Sequence, residues 1–213
     1  MTRSFKDKTI DIFLTLFLLN DVHERKNLGF IGKLKMQKLV FLSEKDMIDQ
    51  HEKGFNFNFV RLDYGPYSPE LEADRKKLVY LGYLVDGKLL PTSETKSLID
   101  DFQDVIDRNP AFVEKIRNVN LKYGGMTADQ LKVFIHCMEW GHGKTIHDLD
   151  LTTPMLYPLN PSKARLSFQI TDKEIDDLAM NLDLEACTGL EQANDDMQRG
   201  RLMTHEQVFA SLH

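Results

Sequence analysis

The chain has 213 residues, 42% of them apolar and 28% charged, with a formal net charge of −6. That length and balance exclude a disordered or fibrous chain and leave room for one or two folded domains with a real core. The richest apolar run, Ile10 to Leu19, is interrupted by Asp11 and Thr15; it falls short of the roughly 18 residues a bilayer-spanning helix needs and lacks a small-residue cleavage site, so no membrane role is expected.

The two cysteines, Cys137 and Cys187, show no CxxC spacing, which points to a reducing, cytoplasmic compartment rather than a disulfide framework or zinc knuckle. Charge is unevenly placed: residues 151–213 hold 5 Lys/Arg against 10 Asp/Glu, leaving 22 against 23 for residues 1–150. From Asp172 to Asp196, nine acidic residues face Lys173 alone. Such a run repels nucleic acid and attracts a basic protein surface.

In chain order, Ser4 is placed to cap a first helix from about Phe5 to Val22, with Phe13, Leu14, Phe17 and Leu18 on its apolar stripe. A polar loop follows, and then the stretch Leu34-Lys-Met-Gln-Lys-Leu-Val-Phe-Leu42 opens a second helix reaching about Ile48. There Met36, Leu39, Val40 and Met47 share one face, and Lys35, Lys38 and Lys45 are expected on the outer side. Phe55 to Val60 alternates with period two and reads as a short strand. Tyr64-Gly65-Pro66-Tyr67 is a sharp corner, after which Ser68 caps and Pro69 starts a third helix that stops at Gly82.

Tyr83 to Leu90 predicts a hairpin with a two-residue Asp86-Gly87 turn, placed like the wing of a winged-helix domain. Further helices are predicted from Thr92 or Ser93 through Ile106, from Pro110, and from the capping box Thr127 to Gln130 through to Trp140-Gly141. Leu149 to Pro161 carries three prolines and reads as an irregular connection. Three capping boxes follow, at Thr171, Thr188 and Thr204, each opening a short helix with one apolar stripe, too little for an independent core. The expected architecture is therefore mostly α with a small β-hairpin: a winged-helix-like domain over 1–150, a linker over 151–170 and an acidic helical tail over 171–213.

Catalytic patterns fail on inspection. Gly141-His-Gly-Lys-Thr145 lacks the glycine a phosphate loop requires, Met138 standing in its place. His136, His142 and His147 lack an i, i+4 metal pair, and Cys137 and His136 point apart as helix neighbours. No enzyme, cofactor or metal is expected.

The ordered pair LKMQKLVFL and YGPYSPEL, with LGYLVDGKLLPTSET behind it, resembles the Panacea domain, also called SocA-like, and the related YwgA-like phage-associated proteins, over roughly residues 10–105. Members of that family mostly resemble antitoxins that bind an unrelated toxin, and one relative delivers its toxin to a protease. Separately, GLEQANDDMQRGRLMTHEQVFASL, residues 189–212, is similar to the C-terminal ends of RelB-like and Phd-like type II antitoxins. Together these resemblances imply an antitoxin that neutralises a cognate protein toxin, expected to be basic and RNase-like, by direct contact. The acidic tail suits that role, with Leu190, Met197, Val208, Phe209 and Leu212 as anchors and Asp195, Asp196 and Glu206 as steering charges. The plainer alternative is that the tail docks on its own domain; a homodimer is a further option. Lys35, Lys38, Tyr64, Gly65, Pro66 and Tyr67 form a candidate recognition corner, whose plainer alternative is a structural turn. A winged-helix DNA-binding regulator or a phage-associated protease adaptor are the competing functions, the former disfavoured by the acidity of the chain and by the mixed charges of the third helix.

Overall fold

Helix α1, Phe5–Glu24, is buried on nearly every side from Thr9 to Asn20, so it forms the spine of the fold and not its surface. Ser4 caps it through the Asp7 amide. The computed structural model describes residues 3–25, 31–141 and 143–182; the tail beyond Leu182, with every anchor and steering residue proposed above, lies outside them, as do Cys187 and His142.

Around α1 stand α2 (Lys33–Asp49), α3 (Pro69–Tyr80), α4 (Ser93–Asp101), α5 (Gln103–Arg108), α6 (Pro110–Tyr123), α7 (Ala128–His136) and α8 (Asp172–Leu182). The fold is mostly helical, with three small sheets. Strands β1 (Glu52–Lys53) and β7 (Leu166–Ser167) run parallel. β2 (Phe59–Leu62) lies between β3 (Gly65–Tyr67) and β6 (Pro154–Leu156), antiparallel to both, and β4 (Leu84–Val85) pairs with β5 (Leu90–Pro91). Among the described residues no helix is long and apolar enough to cross a membrane.

The alternating Phe55–Val60 segment departs from its expected strand. Only Phe59 onward joins a sheet; before that, three consecutive backbone N–H groups donate to carboxylates instead of to a neighbouring strand. Asn56 N–H donates to Asp11 of α1 at 2.7 Å, Phe57 N–H to Glu44 of α2 at 3.0 Å, and Asn58 N–H to Glu70 of α3 at 2.9 Å. Buried backbone donors must be satisfied, and here three helices satisfy them while Phe55, Phe57 and Phe59 fill the core. Arg3 bridges Asp11 and Asp74 at 3.0 and 2.7 Å and stacks over the Phe57 ring.

The hairpin expected over Tyr83 to Leu90 differs in detail. Strand pairing Val85↔Leu90 leaves four residues in the loop, not two, because Leu89 turns back into the core in a left-handed conformation (φ 47°). The helix expected from Ser93 to Ile106 breaks at Phe102, and α7 stops at His136, before Trp140.

The stretch read as a linker, 151–170, is tied into the fold, with Met155, Leu156, Phe168 and Ile170 in the core. β6 extends the β2–β3 sheet, β7 pairs with β1, Phe168 packs edge-on against Phe112 at 5.6 Å, and the Asn109 amide clamps both backbone groups of Gln169. α8 then lies along α1 with Ile175, Leu178 and Leu182 buried. Its Thr171–Glu174 capping box forms as predicted, and Arg108 pairs with Glu174. The first of the three tail helices thus has a home within the chain, because prolines in 151–161 end helices but do not prevent edge-strand pairing.

Candidate functional site at the hairpin corner

The Tyr64-Gly65-Pro66-Tyr67 corner is a tight β-hairpin. Leu62 pairs with Gly65, Arg61 with Pro66 and Val60 with Tyr67, leaving Asp63 and Tyr64 as the loop. Gly65 takes φ 102°, a conformation glycine adopts without the penalty of a Cβ. Pro66 is tolerated because β3 is an edge strand and has no further ladder to feed. Ser68 then caps α3 through Leu71 N–H, with Pro69 at its first position. Gln37 of α2 grips Ser68 from both sides, its Nε2 donating to the Ser68 carbonyl at 3.0 Å and its Oε1 accepting from Ser68 N–H at 2.8 Å. The two sequence stretches are therefore one mechanical unit.

Of the three lysines expected on the outer side of α2, Lys35 and Lys38 are buried, while Lys45 stays partly exposed beside Asp49. Lys35 and Lys38 are 4% and 2% exposed, because α2 is covered by α6 on one flank and by β3 and α7 on another. A stripe of apolar residues shows which face a helix buries first; it does not show that a second layer roofs the opposite face. The Lys35 ammonium donates to the carbonyl of Gly124 at the end of α6, where the helix dipole favours a cation. Lys38 has a weaker anchor, the carbonyl of Leu34 at 3.3 Å. Burial, and then the neighbouring Lys132, lower its pKa to about 8, with Asp129 opposing.

Lys38, Tyr64, Gly65, Pro66 and Tyr67 line one cavity of about 410 Å³. Lys35 does not belong to it; it lines a separate, larger cavity of about 660 Å³ shared with Arg75, Leu89 and Thr127. The corner so reads as a pocket with an aromatic mouth: Tyr64 is 57% exposed, and the Lys132 ammonium sits 4.8 Å from its ring centroid.

Behind the hairpin, His136 packs over Gly65, where an added Cβ would stand 3.7 Å from its Nε2. That nitrogen is buried without a hydrogen-bond partner, as is Nε of Arg61. Burial lowers the His136 pKa, helped by Lys132, Arg61, His147 and Lys38; its ring stacks on His147 at 5.5 Å. The sequence reading missed Arg61, Lys132 and His136 as members of the corner. The i, i+4 spacing of Lys132 and His136 puts them on one face of α7, but only the packing of α7 against β3 shows what that face meets. Among the described residues no group of three or more His, Cys, Asp or Glu is placed to hold a metal ion. No protein-family model, curated protein or solved structure matches the chain.

Proposed function

We propose that the protein acts by binding another polypeptide, as an antitoxin whose acidic C-terminal segment covers a basic toxin. The observation that carries this reading is the placement of the acidic run. It begins on α8, whose apolar side is already spent on α1, so Asp172 and Asp176 face solvent beside Met180, which is 77% exposed. The acidic run thus starts on a helix anchored to the core, and in sequence it continues to Asp196. A row of such charges speeds encounter with a basic surface and sets register, while apolar anchors supply affinity.

The Panacea-like resemblance supports the same reading through its two signature stretches, joined by the Gln37–Ser68 clamp. In this reading the run from α3 through the β4–β5 hairpin to α4 is winged-helix-like, with the hairpin as its wing. That run offers DNA little: Arg75 of α3 is held by Glu72 and lies 3.5 Å from Asp86. Co-expression with the product of the adjacent gene, expected to be a basic protein, and purification through a tag on either chain, tests the proposal. A stoichiometric complex and relief of toxicity are expected. Failure of the two proteins to associate, or a salt-sensitive shift of upstream DNA by this protein alone, would sink it.

A further inference from the structure

We propose that the hairpin-corner cavity binds a carboxylate carried on an apolar or aromatic body, with the Lys38 ammonium as its counter-ion. This site is independent of the acidic tail and of the toxin-binding reading.

Lys38 is the first argument. An ammonium has three donors to satisfy, yet this one is 2% exposed and makes a single long bond, to a carbonyl of its own helix. A buried cation of this kind is costly unless something negative reaches it. The carboxylates nearby do not serve. Glu72 lines the cavity but is held through both oxygens by Arg75, at 2.9 and 3.0 Å. Asp129 acts on Lys38 only through space and lies on the exposed side of α7.

The surrounding charge is the second argument. Lys132 is close enough to depress Lys38, and both act on His136 together with Arg61. Buried Nε of Arg61 and Nε2 of His136 have no partner. Lys38, Lys132 and Arg61 thus place positive charge around Gly65, as an anion site favours. Lys33 and Leu34, in the first turn of α2, line the same cavity, and the Gly32 cap of that helix supplies no side-chain acceptor.

Size and walls choose the anion. Leu34, Leu62, Pro66 and Tyr67 give an apolar lining, and about 410 Å³ falls in the range of small-molecule sites. Lys38 is the buried charge of this wall and Lys33 lines it from an exposed position; one buried ammonium balances one negative charge, and the apolar lining suits an anion with a hydrophobic stem, which a free phosphate lacks. A carboxylate on an aromatic or aliphatic stem fits both. It can be a free organic acid or the terminal carboxylate of a polypeptide.

Calorimetric titration of the full chain separates these. The probes are 3-phenylpropionate, its amide, and a short peptide ending in Phe with either a free or an amidated terminus. Binding of the acids and an affinity for each amide lower by about tenfold or more are expected. At pH 8, acid binding should take up protons, read from the dependence of the heat on buffer ionisation, because a carboxylate restores the charge on Lys38. Lys38→Met should weaken the acids by about tenfold or more without lowering the melting temperature, since it exchanges a buried cation for a neutral side chain of similar length. Tighter binding of the free-terminus peptide than of 3-phenylpropionate assigns the site to polypeptide ends; the reverse assigns it to a small acid. Equal affinity for acid and amide, undiminished binding by Lys38→Met, or no acid binding at roughly 10 mM would each overturn the proposal.

Discussion

Glu44 shows how a single buried carboxyl sets a pH dependence for the fold. Its Oε1 accepts the Phe57 N–H, while Oε2 is buried without a partner. Burial, then the nearby Asp11, raises its pKa well above 4.5. Because the folded value exceeds the unfolded one, the stability linked to the protonated acid is complete below the unfolded pKa and is lost as pH rises through the folded one. Glu44→Gln keeps an acceptor for Phe57 and removes the charge. It should match the parent near pH 4.5 and exceed its stability by about 1–3 kcal/mol at pH 8, as measured by urea unfolding; equal loss of stability at both pH values would contradict this account. Gly54 makes a different point. A Cβ there would stand 2.5 Å from Met47 Sδ and 2.8 Å from Phe112 Cδ1, so Gly54→Ala should cost about 1–3 kcal/mol through overpacking, seen as a lower unfolding midpoint.

Elements joined by sequence-distant contacts behave as one unit. Leu178 of α8 is fully buried in the cluster that also holds Phe13 and Leu98, so Leu178→Ala should lower global stability by about 2–4 kcal/mol and shift one cooperative transition. A separate low-temperature transition, with the main one unmoved, would show α8 to be an independent tail. Local grammar made the helices legible: Ser4, Ser68, Thr127 and Thr171 cap where their side chains predicted. What failed depended on non-local partners. Phe55–Asn58 lost its strand to three carboxylates on three helices, and Leu89 widened a hairpin whose Asp-Gly pair alone predicts a tight turn. The corner residues were legible as a group, but not that Lys38 would be buried beneath them while Lys35 faced another cavity.

For the whole molecule, acidity gathers at one end while the rest of the chain is nearly balanced in charge. Leu182 is the last described buried residue of α8, so a chain ending there keeps every buried residue described above. Raising salt should slow association of the full chain with a basic partner while changing dissociation little, a signature of steering readable by stopped flow. The most direct measurement is the affinity of that partner for the full chain and for a chain ending at Leu182. The account predicts a melting temperature unchanged within a few degrees and binding weakened by about a hundredfold or more; a shortened chain that binds as tightly as the full one would contradict it.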